Sequence, residues 1–84
     1  VNEDAKRMIE AVHVINNGTF TARTAPSDGA PDEVVALYLM TRREGTGRLK
    51  LRNYQRFGIS SRVVADALKL GVLSVAIDDS GRPS

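Results

Sequence analysis

Seven basic side chains fall between residues 42 and 62: Arg42, Arg43, Arg48, Lys50, Arg52, Arg56 and Arg62, opposed only by Glu44. Elsewhere the chain carries five basic and nine acidic residues, so its net charge of +2 hides a one-sided distribution. A basic block in an acidic remainder suits a surface that meets phosphate on one side, and a solvated face has the same composition. Other chemistry has fewer candidates. There is no Cys, which excludes disulfides, thiolate metal sites and cysteine nucleophiles. The one histidine, His13, reads as a surface or boundary residue rather than a ligand or a base. Asp78 and Asp79 are paired carboxylates, but they stand among turn residues. Ser60 and Ser61 have no general base within sequence reach. Gly45-Thr46-Gly47 is too short for a phosphate cradle and lacks the Lys-Ser/Thr that such a loop requires. We therefore expect no catalysis, no metal and no cofactor.

The elements that must position the basic block can be read from periodicity. Ala5, Met8, Ile9, Val12 and Ile15 recur at helical spacing and predict a helix over Asn2 to Asn16. Asn2 or Asp4 can cap it, and Asn16-Asn17-Gly18 should stop it through a left-handed residue. Thr19 to Thr24 is a candidate short strand, and Ala25 to Pro31 a loop. Pro31, Asp32 and Glu33 open a second helix whose Val34, Val35, Leu37, Tyr38, Leu39 and Met40 suit the centre of a core. Leu51, Tyr54 and Phe57 then give a short helix with one buried stripe, ended by Gly58. Ile59 plugs the turn, and Ser60 or Ser61 caps a last helix. Its inner side is Val63, Val64, Ala67, Leu68 and Leu70, and Gly71 stops it. Leu73, Val75 and Ile77 alternate as in a strand, and Asp78 to Gly81 is turn chemistry with too little chain beyond it for a full return strand. The expected class is α+β: mainly α, three to four helices with a small β-hairpin, in one domain over 1–84.

Two short helices around Phe57-Gly58-Ile59-Ser60 satisfy the requirements of a helix-turn-helix spanning about 49–71. On its second helix Arg62, Ala65, Asp66 and Lys69 form the outward set. Ala65 is small enough to let backbone approach a base edge, Arg62 can reach phosphate or guanine, and the amides near Ser60 and Ser61 suit a phosphate oxygen.

These residues carry a resemblance. The basic leading helix, FGIS, SSRVVADALKLG and VLSVAI running into DDSGRPS resemble the winged helix-turn-helix superfamily, as found in bacterial, plasmid or phage transcription and replication-initiation proteins. Tyr54 departs from the pattern, since it stands where the simplest such motifs have a small residue. The resemblance implies sequence-specific binding of double-stranded DNA, in a transcriptional regulator or a DNA-maintenance protein. It implies that Ser61, Arg62, Ala65, Asp66 and Lys69 face the major groove, with Asn53, Gln55 and Arg56 over the backbone or groove edge. Lys50 and Arg52, with Arg48 of the same run, would meet phosphates, and Arg82 would be the wing residue in the minor groove. The rival reading is a winged-helix protein-interaction module without DNA binding. The first helix is a candidate homodimer seam. No apolar run is long enough to cross a membrane, and the expected place is the cytoplasm, on the nucleoid.

Overall fold

The computed structural model describes residues 2–44 and 48–84, with the side chains of Ile9 and Glu10 left outside that description. The expected loop at Gly45-Thr46-Gly47 therefore lies outside the described residues. Among the described residues, four helices and a three-stranded antiparallel sheet make an α+β domain. The order is α1 (Glu3–Asn17), β1 (Thr19–Ala22), α2 (Asp32–Arg43), β2 (Arg48–Lys50), α3 (Leu51–Arg56), α4 (Ser61–Lys69) and β3 (Leu73–Val75). Among the described residues, no helix is long and apolar enough to cross a membrane.

The sheet is larger than a hairpin, with β1 central between β2 and β3. Phe20 faces Leu49 on one side and Val75 on the other. Cross-strand partners share a face, so these three point together into the core, and Phe20 is fully buried. Thr21 and Ser74 share the opposite face, where their hydroxyls lie 2.9 Å apart. Arg48, Leu49 and Lys50 form β2, so the helix-turn-helix expected from about residue 49 begins only at Leu51, with α3. What extends them is pairing with Thr19–Thr21, a partner remote in sequence.

α1 is capped by Asn2, whose Oδ1 accepts the Ala5 N–H at 2.8 Å. Its stop differs from expectation. Gly18 has φ −74°, not the left-handed value; glycine is needed because a Cβ would collide with the carbonyl oxygen of Val14. On the apolar face of α1, Met8 and Val12 are 69% and 58% exposed. In α2, Pro31 occupies the cap itself, one residue before the first turn, and its carbonyl accepts from Val34 and Val35. Val34, Leu37, Met40 and Thr41 are buried, while Leu39 is exposed.

Tyr54 explains its own departure from the usual small residue. It is fully buried, its ring 6.2 Å from that of Phe20, and its hydroxyl lies 2.7 Å from Thr41 Oγ1. Thr41 Oγ1 donates to the Leu37 carbonyl at 2.7 Å. A threonine hydroxyl has one hydrogen, so Tyr54 must be the donor to Thr41. The chain Tyr54→Thr41→Leu37 satisfies every polar atom it buries. Burial pushes the Tyr54 phenol up.

Candidate nucleic-acid interface

α3 and α4 are joined by a turn whose backbone closes completely. Gly58 has φ +81°; its N–H donates to the Gln55 carbonyl at 3.1 Å, and the Ile59 N–H donates to Tyr54 at 3.1 Å. This is the paired bonding of a Schellman motif, with glycine at its left-handed position. The same arrangement recurs after α4. Gly71 has φ +74°, its N–H reaches Leu68 at 3.2 Å, and the Val72 N–H reaches Ala67 at 3.0 Å. Ile59 and Val72, the residues after each glycine, pack into the core, as that motif favours.

Val63, Val64 and Ala67 anchor α4, leaving Ser61, Arg62, Asp66 and Lys69 exposed and Ala65 half-buried. Leu70 is 61% exposed instead of filling the inner side, because it stands at the C-cap where the helix already yields to the Gly71 turn. Ser60 stands at the N-cap; its carbonyl accepts from Val63 and Val64, but its side chain makes no capping bond. The first turn of α4 carries no acidic residue. Ser61, Arg62 and Ala65 border a groove whose other wall is Val12, Ile15 and Asn16 of α1. Asp66 and Lys69 border Pro31 and Val34, on the side of α2.

On α3, Arg52, Gln55 and Arg56 are exposed. Two further candidates have structural work. Asn53 is half-buried, and its Oδ1 accepts the Lys50 N–H at 2.8 Å, capping α3. Lys50 is half-buried too, and its Nζ donates to the Asn17 carbonyl at 3.2 Å. That places a cation at the C-terminal end of α1, whose own last turn has no basic residue. Arg48 is exposed on β2. The structure thus joins the α3 and α4 candidates across one turn, while Arg82 lies elsewhere, beside His13, Val14, Asn17 and Gly18 of α1.

Comparison with known protein families, curated proteins and solved structures finds no match.

Sequence reasoning misplaced Phe57. It was expected in the buried stripe with Leu51 and Tyr54, yet it is 71% exposed. The helix ends at Arg56, so Phe57 is the C-cap and leaves the helical path. The signal was present in Gly58, which fixes the preceding residue as the cap.

In the C-terminal segment Ile77 pairs with Pro83 in an isolated bridge, and the Ser84 N–H reaches the Ala76 carbonyl at 2.9 Å, so the chain folds back on itself without completing a return strand. Ile77 departs from the alternation and is 64% exposed. Asp78 organises the turn: its Oδ1 accepts the N–H groups of Arg82 and Ser80, both at 2.9 Å. The Arg82 amide is the main cause that holds the Asp78 carboxyl below its ordinary value; desolvation opposes it, and the Ser80 amide and hydroxyl add to the lowering. A lowered folded value makes the turn's contribution full above the ordinary Asp value of about 3.9 and lost as pH falls through the folded one. In an NMR titration the Ser80 and Arg82 amide shifts are expected to follow a single midpoint below about 3.9, absent in Asp78→Asn. A midpoint at the ordinary value would show that the carboxylate does not hold the turn.

Proposed function

We propose that this chain is a winged helix-turn-helix domain that binds double-stranded DNA sequence-specifically, with α4 as the recognition helix and the hairpin 77–83 as its wing. Its parent would be a transcriptional regulator or a DNA-maintenance protein. The observation that carries this reading is the α3–turn–α4 pair, fixed by the Gly58 turn and exposing Arg52, Gln55 and Arg56 on one helix and Ser61, Arg62 and Lys69 on the next. A helix held by its inner face, with cationic and hydrogen-bonding side chains outside, is what entry into a major groove requires. The acid-free first turn of α4 directs its dipole's positive end at a phosphate without a competing carboxylate. Lys50 and Asn53 leave the contact set and become supports of α1 and α3.

A second reading has one observation behind it. Phe57 and Leu70, exposed at either end of α4, would suit the interface of a protein-binding module.

Salt separates the two. If four to six phosphates are contacted, affinity for a labelled random duplex is expected to fall on the order of 10²- to 10³-fold between about 50 and 200 mM salt. Replacing Arg52 and Arg56 together by alanine is expected to flatten that dependence. Folded protein that fails to bind at the lower salt would overturn the DNA reading and favour the protein-binding one.

A further inference from the structure

α1 ends on Asn17-Gly18, the one Asn-Gly pair in the chain. An asparagine followed by glycine is chemically labile, because no Cβ shields the glycine nitrogen from the carboxamide carbon before it. The fold cannot dispense with this glycine, since a Cβ at position 18 would collide with the Val14 carbonyl oxygen. Each reacting group is held. Gly18 is buried, and its N–H donates to the Val14 carbonyl at 2.7 Å. The Asn17 side chain is exposed, but its Nδ2 donates to the His13 carbonyl at 3.2 Å and lies 3.3 Å from His13 Nδ1. An amide nitrogen is a donor only, so that Nδ1 is the acceptor. The Asn17 carbonyl in turn accepts from Lys50 Nζ at 3.2 Å.

We propose that Asn17 is a site of deamidation, held off by the folded end of α1 and released by local opening of that end. In the reaction the Gly18 nitrogen bonds to Asn17 Cγ and gives its proton to a solvent base. The Cγ–Nδ2 bond breaks, and Nδ2 takes up one proton and leaves as ammonia. Water then opens the cyclic imide at Cγ, giving aspartate, or at the main-chain carbonyl, giving isoaspartate. Nothing is oxidised or reduced. Ring closure requires Asn17 to leave its helical ψ, which carries the Gly18 N–H away from Val14. It also requires the carboxamide to be free of His13. Both conditions are met when the last turn opens, so the rate follows the open fraction. The products do not re-form the same turn. A carboxylate cannot donate to the His13 carbonyl and opposes it acceptor to acceptor. Isoaspartate also adds a methylene to the main chain where Gly18 alone links α1 to β1. The inference does not depend on DNA binding.

The full chain is aged in mildly alkaline buffer, both native and in guanidinium chloride. Peptide mass mapping follows its four asparagines, and isoaspartyl methyltransferase labelling detects the isomer. In denaturant Asn17 is expected to convert faster than Asn2, Asn16 and Asn53. In native buffer its rate is expected to be lower by roughly tenfold or more, a factor set by the open fraction of the turn. Lys50→Met, which unties the Asn17 carbonyl, is expected to raise the native rate several-fold and to leave the denatured rate unchanged. Hydrogen exchange of the aged chain is expected to show lost protection in α1, with α2 as before. Equal rates in the two buffers would overturn the inference. So would an Asn17 that converts no faster than Asn16 when unfolded, or a native rate unmoved by Lys50→Met.

Discussion

Thr41→Val is expected to destabilise the domain by about 1–3 kcal/mol, although valine matches threonine in shape. The loss comes from Tyr54. With Oγ1 gone, a fully buried phenolic O–H has no acceptor. Tyr54→Phe is expected to cost less, about 0.5–1.5 kcal/mol, because Thr41 still donates to Leu37 and loses only an incoming bond. The double variant is the decisive measurement. It removes both partners and leaves an apolar pair, so its cost is expected to fall short of the sum of the singles by about 1 kcal/mol or more. Urea denaturation of the four proteins gives the coupling directly. Additive losses would mean that the two hydroxyls do not interact.

Gly58→Ala is expected to cost about 1–2 kcal/mol and Gly58→Val more, lowering Tm by roughly 5–15 °C in a domain of this size. The space around a Cβ at this position is empty, so no steric clash with neighbours contributes. The penalty is that of holding an L-residue at φ +81°, and it is steepest for a β-branched side chain. Gly58→Asn, which tolerates that region, is expected to lose least. Alanine as stable as glycine would show that the turn relaxes to another conformation. If α3 and α4 together make the DNA face, the alanine variant is also expected to bind duplex less tightly at temperatures where it remains folded, since their angle depends on this one residue.

These expectations rest on features that differ in how far they could be read from sequence. The turn and α4 were legible because their determinants are local: glycine at the left-handed position, serine ahead of the helix, and Val63, Val64 and Ala67 at helical spacing. β2 was not. Arg48-Leu49-Lys50 continues a basic run into α3, and nothing local separates strand from helix; its strand character is conferred by Thr19–Thr21. The roles of Lys50 and Asn53 were hidden for a related reason. A lysine and an asparagine in a basic block resemble phosphate contacts until the end of α1 and the start of α3 are seen to need them. Tyr54 looked like an anomaly of the motif because its partner, Thr41, lies on another helix. The apolar pattern of α1 was visible, but periodicity reports that a face is apolar and not what covers it.

The two glycine turns that bracket α4 have a consequence for how its surface can change. The orientation of the helix is set by main-chain bonds at both ends and by three side chains on its inner face. Arg62, Asp66 and Lys69 contribute to none of these. Their identities are therefore decoupled from folding, and the face they form can be rewritten as a set without altering the scaffold that presents it. A library randomised at those three positions should return mostly folded members, so that selection acts on recognition rather than on survival of the fold.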